Sequence, residues 1–424
     1  MQKESMINRA NLSNGITVVT ERIPNIRSVT IGVWLRSGAR FEIDEKGGIF
    51  HVLEHLLFKR TKKRSTRDIA RIIDVVGGQC NAFTDKEYIC FYSKAIDEHI
   101  DIVLDLLSDI LINPDFKEED LEGEKRVILE EIKMMEDAPE LVLITRLMRS
   151  VWKKHPLSRL TIGSHETVMA LTRDEVEDFF RREFTAGRML ITAAGNLEHE
   201  AILAKLENYF EGALTGGEVP GGTPPLYTRS ITSEQKNELK QVHLCLMLPT
   251  FKRNHPDRFS LAVLITLLGN GMSSRLFQKV REERGLVYDI DAEGISYQDC
   301  GYLMVYAGTG QEALNEVISI TIDEFRDLQR LPPHQDEVYR AKEHLKGSLM
   351  LGLENTFQRM AHLASQEMYF GGHVSLDEIL NAIDRVSVDD VHRVSERVFS
   401  SHEVSAGILG KVDDLHLMED ALRC

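Results

Sequence analysis

The sequence predicts an α+β chain of two similar mixed α/β sandwich domains, and three observations lead there. Strand-like and helix-like stretches alternate along the first half. A Gly- and Pro-rich stretch at 215–225, with little to bury, interrupts them. Beyond it the second half repeats the order of elements of the first. The division that follows is a first domain at 1–214, a linker at 215–230 and a second domain at 231–424. With 424 residues, each domain is long enough to bury a full core.

Taken in order, 15–23 and 28–36 read as strands. In the second of these Val29, Ile31, Val33 and Leu35 alternate with smaller or more polar residues. A helix starts near 46–48. Residues 66–76 predict a helix that stops at Gly77-Gly78. Residues 79–95 read as a hairpin or long bent strand with Asp85-Lys86 at the turn. Helices follow at about 97–111, 117–136, 139–153 and 173–184, then a strand at 189–194 and a helix at 198–210. Past the linker, Val242, Leu244, Leu246 and Leu248 alternate as Val29 to Leu35 do. A helix at 258–268 stands where the helix after 46–48 stood. A strand at 303–307, helices at 313–328, 335–353, 356–369, 376–383 and 388–398, and a strand at 404–409 complete the second half.

Hydrophobic content of 42% and charged content of 28% are those of an ordinary soluble globular protein. The net charge of -16 argues against general nucleic-acid binding, which needs a basic face. It suits a cavity that attracts basic peptides, and equally a solvated acidic surface. The five cysteines, Cys80, Cys90, Cys245, Cys300 and Cys424, form no C-x-x-C pair and read as free thiols in a reducing compartment. Residues 1–12 lack the apolar segment of a secretory signal and the Arg-rich character of a transit peptide. No run approaches the ~18 apolar residues of a membrane span. The expectation is a cytoplasmic protein.

The chemistry concentrates in His51-Val52-Leu53-Glu54-His55. On a helix, positions i and i+4 share a face, so both imidazoles point the same way with Glu54 one turn beyond His51. Ile49, Phe50, Val52, Leu53, Leu56, Leu57 and Phe58 make the helix apolar. Three polar side chains there are costly unless something satisfies them, and a divalent metal with a water would do so. The order H-x-x-E-H inverts the zincin motif H-E-x-x-H.

A catalytic zinc site needs three protein ligands and an open position. The best source of the third is the acidic helix around 124–132. There Glu131 shares a face with Glu124, Val127, Ile128 and Met135, and Glu130 shares one with Arg126 and Lys133. Glu131 is therefore expected to face inward and Glu130 to face water, with Glu124 orienting a histidine ring N–H. Two histidines and a glutamate suit zinc best, and manganese or cobalt also. The other histidines, such as His99, His199 and His243, show no ligand spacing.

With these residues in place, the chain resembles the pitrilysin/insulinase family of inverted zincins, and within it the short, two-domain, mitochondrial processing peptidase-like bacterial branch. The resemblance covers essentially the whole chain. It implies a duplicated processing-peptidase-like fold whose second copy lacks the metal site. It also implies that His51, His55 and Glu131 bind one Zn2+ per chain, that Glu54 is the general base, and that Glu124 lies near the site. Residues 77–84, Gly-Gly-Gln-Cys-Asn-Ala-Phe-Thr, resemble the family's edge strand, on which an extended peptide adds as a further β-strand at Asn81, Ala82 and Phe83. In the second half, Arg281 and Tyr288 match an Arg and a Tyr seven residues apart that hold substrate and polarise the scissile carbonyl, with Arg284 the rival.

The resemblance thus implies a zinc-dependent endopeptidase acting on extended peptides or unfolded segments, its water activated by zinc and Glu54. It further implies pairing with a second copy or with a related subunit. The alternative is a non-catalytic partner or scaffold subunit of a processing-peptidase-like complex, which typically loses motif residues that this chain keeps.

Overall fold

The computed structural model describes residues 6–399 and 404–412; Cys424 lies outside them. The described strands are β1 (Met6–Asn11), β2 (Thr17–Arg22), β3 (Ser28–Leu35), β4 (Gln79–Thr84), β5 (Ile89–Ile96), β6 (Met189–Gly195), β7 (Ile231–Gln235), β8 (Val242–Thr250), β9 (Val287–Ser296), β10 (Gly301–Thr309) and β11 (Ser405–Gly410). The helices are α1 (Ile49–Leu57), α2 (Thr66–Val76), α3 (Ile100–Ile112), α4 (Glu118–Glu136), α5 (Pro139–Trp152), α6 (His165–Ala170), α7 (Arg173–Glu183), α8 (His199–Tyr209), α9 (Arg258–Gly269), α10 (Leu314–Arg330), α11 (Gln335–Gly352), α12 (Thr356–Phe370), α13 (Leu376–Asp384) and α14 (Val388–Phe399). Among the described helices none is long and apolar enough to cross a membrane.

The helix expected near 46–48 begins at Ile49, because Gly48 takes a left-handed φ of 91° and ends the preceding turn. The expected strands and helices otherwise recur with ends shifted by up to three residues. Four elements were not legible. The edge strands β1 and β7 carry few apolar residues, and α6 is a short helix started by a Ser164–Thr167 capping box. In β9 the register against β10 shifts near Gly308 and Thr309, so Val287, Ile290 and Ala292 are buried out of a strict period of two.

Two compact units result, each built on one sheet. The first comprises Met1–Met134, Arg159–Gly222 and Leu351–His373. Its six-stranded mixed sheet has the order β1-β2-β6-β3-β5-β4, so β4 is an edge strand. The second comprises Met135–Ser158, Thr223–Met350 and Val374–Cys424, with a five-stranded sheet in the order β7-β11-β8-β10-β9.

These units differ from a division at 214 and 231, because each sheet takes one covering helix from the other half of the sequence. In the first unit α12 lies on β3, β6 and β2. Its Met360, Leu363 and Ala364 close a core with Val19, Trp34, Cys90 and Leu190. Thr356 pairs with Thr30 at 2.8 Å, and Thr192 donates to the Met360 carbonyl at 3.0 Å while accepting from the Trp34 indole at 2.8 Å. In the second unit α5 lies on β11 and β8, and its Leu143, Leu147 and Val151 pack on Cys245, Met247 and Leu409. The smaller residues of β3 are thus as buried as its apolar ones. At Gly32 a Cβ would stand 2.4 Å from the Met360 sulfur, and at Gly407 one would stand 2.8 Å from Leu143. The described cysteines Cys80, Cys90, Cys245 and Cys300 form no disulfide among the described residues.

Candidate metal centre

The centre lies in the first unit and is assembled from α1, α4 and β4. The N-terminus of α1 is held from a distance. The buried Glu42 carboxylate accepts from the Gly48 N–H at 2.8 Å and the Phe50 N–H at 3.0 Å, taking up donors that a helix start leaves open. Gly48 also lets the Ile162 carbonyl approach to where a Cβ would be, at 2.5 Å. One face of α1 is buried through Ile49, Phe50, Val52, Leu53, Leu56 and Leu57. The Phe50 ring meets Phe179 of α7 edge-on.

The other face presents His51, Glu54 and His55. The two imidazole centroids are 4.7 Å apart. Glu131 of α4 brings Oε2 to 3.7 Å from His51 Nε2 and to 3.7 Å from His55 Nε2. One donor atom from each of the three lies within 4.8 Å of the others. Ligands of one tetrahedral ion at ~2.0–2.1 Å sit roughly 3.3 Å apart. The observed separations are too long for hydrogen bonds and close to that spacing, and two nitrogens with one carboxylate oxygen are a zinc donor set. The residues present therefore fit the ion.

Helix faces separate the two glutamates as the sequence analysis expects. Glu131 turns to the histidines with 38% of its side chain exposed, whereas Glu130 is 70% exposed and pairs with Lys133 at 2.7 Å. The inward assignment of Val127 does not hold: it is 45% exposed, whereas Ile128, grouped on the same face, is fully buried. Glu124 is buried and accepts from His55 Nδ1 at 2.9 Å, leaving Nε2 toward Glu131. His51 lacks such support: its Nδ1 is buried with no hydrogen-bond partner.

Charges follow this arrangement. Burial, with His55 adding to it, pulls His51 down to about 4, so that its ring is neutral at pH 7. For His55 burial also opposes the charge, but the Glu124 bond and the surrounding carboxylates outweigh it and raise its pKa. Glu124 is lowered despite burial, by His55 and by Lys59, whose ammonium lies 2.6 Å away. Burial raises Glu54, against the opposing hydrogen bond from Thr84.

β4 borders the cluster. Asn81 is exposed, and its Oδ1 accepts from the Ala82 N–H at 2.9 Å. The Phe83 ring is occupied by packing against Trp34, Tyr88, Tyr92 and Phe357, so its main chain is what the strand edge can offer. Sequence reasoning missed Glu42, Lys59 and Thr84. Lys59 stands four residues after His55, a spacing that could have flagged it. Thr84 ends the recognised strand motif, and nothing local marks Glu42.

Arg281 and Tyr288 belong to the second unit. Arg281 sits on a π-helical turn, Phe277–Glu282, with its guanidinium 4.7 Å from the Phe277 ring centroid and 5.3 Å from that of Tyr288. Tyr288 is 79% exposed. Arg284 is tied to the Lys279 carbonyl at 2.8 Å and lies near Glu283.

A mixed α/β fold carrying two imidazoles and a carboxylate, with a further glutamate beside them in H-x-x-E-H order, defines the class as one with an inverted-zincin-type donor cluster. Residues 17–165 match the family described as Insulinase (Peptidase family M16), and residues 170–345 match the Peptidase M16 inactive domain. The chain is 38% identical to the "Uncharacterized zinc protease YmxG" of Bacillus subtilis, over 93% of this chain and 96% of that one. It is 36% identical to the "Uncharacterized zinc protease SCO5738" of Streptomyces coelicolor, over 96% and 90%. The chain belongs to peptidase family M16, the insulinase family. In fold it is similar to a protease from Helicobacter pylori, with a TM-score of 0.87 at 21% identity over 96% of this chain and 99% of that one. It is also similar to a peptidase M16 inactive domain from Pseudomonas fluorescens, with a TM-score of 0.89 at 18% identity over 96% and 98%.

Proposed function

We propose that this chain is a zinc-dependent endopeptidase that hydrolyses extended peptides or unfolded segments. The observation that carries the reading is the convergence of His51, His55 and Glu131 on one point beside Glu54, a carboxylate left over from the ligand set. A structural zinc site closes its coordination and needs no neighbouring base. Relatives named zinc proteases support the choice of metal.

His51, His55 and Glu131 would hold one zinc per chain, with Glu124 fixing the His55 ring. Bound there, zinc supplies Lewis acidity toward water and toward a peptide carbonyl. Glu54 takes a proton from the attacking water and delivers it to the leaving amine. The free edge of β4 receives the substrate main chain near Asn81, Ala82 and Phe83, which suits a peptidase of loose sequence preference. From the resemblance, Tyr288 donates to the developing oxyanion and Arg281 positions substrate. Pairing with a second copy or a related subunit, and work in the cytoplasm, belong to the same reading.

The test pairs metal analysis with cleavage of a quenched fluorogenic peptide library, on wild type and Glu54→Gln. One zinc in both, with kcat in the variant lower by about 10²–10⁴-fold, is the expected outcome. Zinc without cleavage in either would replace this reading by that of a scaffold subunit.

A further inference from the structure

We infer that Thr84 is a positioning residue for Glu54, joining the substrate-accepting strand to the proton-transfer group. This rests on the reading of Glu54 as the base and goes beyond it, since nothing in that reading requires a hydroxyl on β4. Thr84 is the last residue of β4, and its Oγ1 donates to Glu54 Oε2 at 2.5 Å.

Strand alternation places Thr84 on the face of β4 that it shares with Ala82, opposite to that of Asn81 and Phe83. The Phe83 ring anchors the strand in the aromatic cluster on the far face. The near face packs against α1. The turn after Thr84 is braced as well: the Asp85 carbonyl accepts from Ala39 at 3.1 Å, the Lys86 carbonyl accepts from Arg40 at 2.8 Å, and Arg40 forms a buried ion pair with Glu87. A Cβ on Gly38 would stand 2.5 Å from the Asp85 carbonyl, so the two segments are in close contact.

Glu54 is therefore not left to its own rotamers. An exposed carboxylate can turn about its side-chain torsions, and proton transfer requires it within hydrogen-bond reach of the water. The Thr84 hydroxyl fixes one oxygen and so aims the other. Because Thr84 and the substrate-accepting residues share one short strand, a peptide added to β4 orders the same strand that aims Glu54. Substrate register and base position are thereby set by one element.

The experiment compares wild type, Thr84→Val, Thr84→Ala, Thr84→Ser and Glu54→Gln in the full chain, measuring zinc content, thermal melting, and kcat and KM on one fluorogenic peptide. Valine keeps the shape and removes the donor, and serine restores the donor. The expected result is full zinc in all five. Thr84→Val and Thr84→Ala should lose about tenfold or more in kcat with KM within about threefold, and Thr84→Ser should stay within about threefold of wild type. The inference is overturned if either donor-less variant that melts as wild type does keeps wild-type kcat, or if Thr84→Ser falls as far as Thr84→Val. An active wild type with unaltered Thr84 variants removes this inference alone. A silent wild type, or a fully active Glu54→Gln, removes the proposed function and this inference with it.

Discussion

Glu130 and Glu131 are neighbours on α4 with opposite surroundings, and the difference is pure helix geometry. A rotation of about 100° per residue sends one toward Lys133 and water and the other toward two imidazoles. Glu131→Ala should therefore drop the zinc content after dialysis from one per chain to near zero, while Glu130→Ala retains it. Equal zinc in the two variants would remove Glu131 from the ligand set. The motif histidines and Glu131 were legible because each follows from spacing along one helix. Thr84 and Glu42 were not: they reach α1 from 30 residues downstream in one case and from across a loop in the other, and no periodicity links them to it.

At the scale of elements, α1 is the part on which the site depends, and Glu42 holds its start. Burial, opposed by the Phe50 and Gly48 N–H groups and by Arg159 and Lys86, raises Glu42 to about 7. The unfolded chain holds this carboxyl near its ordinary ~4.3. Between these values the folded state binds the extra proton, so the contribution of Glu42 to stability is greatest below about pH 4.5 and falls as pH rises to about 7. Glu42→Gln keeps an acceptor and removes the titration. Relative to wild type it should gain stability from pH 5 to pH 8, on the order of 3 kcal/mol at most, read from denaturant unfolding. Parallel stability curves for the two proteins would show that Glu42 does not titrate in this range. Among elements the helices were the most legible, because their caps are local. α2 starts on the Ser65–Asp68 capping box and stops at Gly77, whose φ is 64°. β9 was hidden by a register shift that no local pattern announces.

For the whole molecule, the exchange of covering helices makes the two halves of the sequence interdependent. Residues 1–222 alone would leave Val19, Trp34 and Leu190 uncovered on the face where α12 packs. Burying each such side chain contributes about 1.5–3 kcal/mol, and the sum is comparable with the roughly 5–15 kcal/mol stability of a domain. That fragment is expected to be insoluble or to lack a cooperative melt by circular dichroism. A cooperative transition near that of the full chain would show that α12 is dispensable. The sequence by itself determined the class of fold, the two-part repeat, the inward face of α1 and the opposite turns of Glu130 and Glu131 on α4, since all of these are written in periods of two and of three to four residues. Only the tertiary structure decided that the small residues of β3 lie under α12, that α5 serves the second sheet, and that Glu42 and Thr84 grip the motif helix. Each of those depends on a contact between residues distant in sequence, where packing space and unsatisfied N–H groups select a partner that no local pattern names.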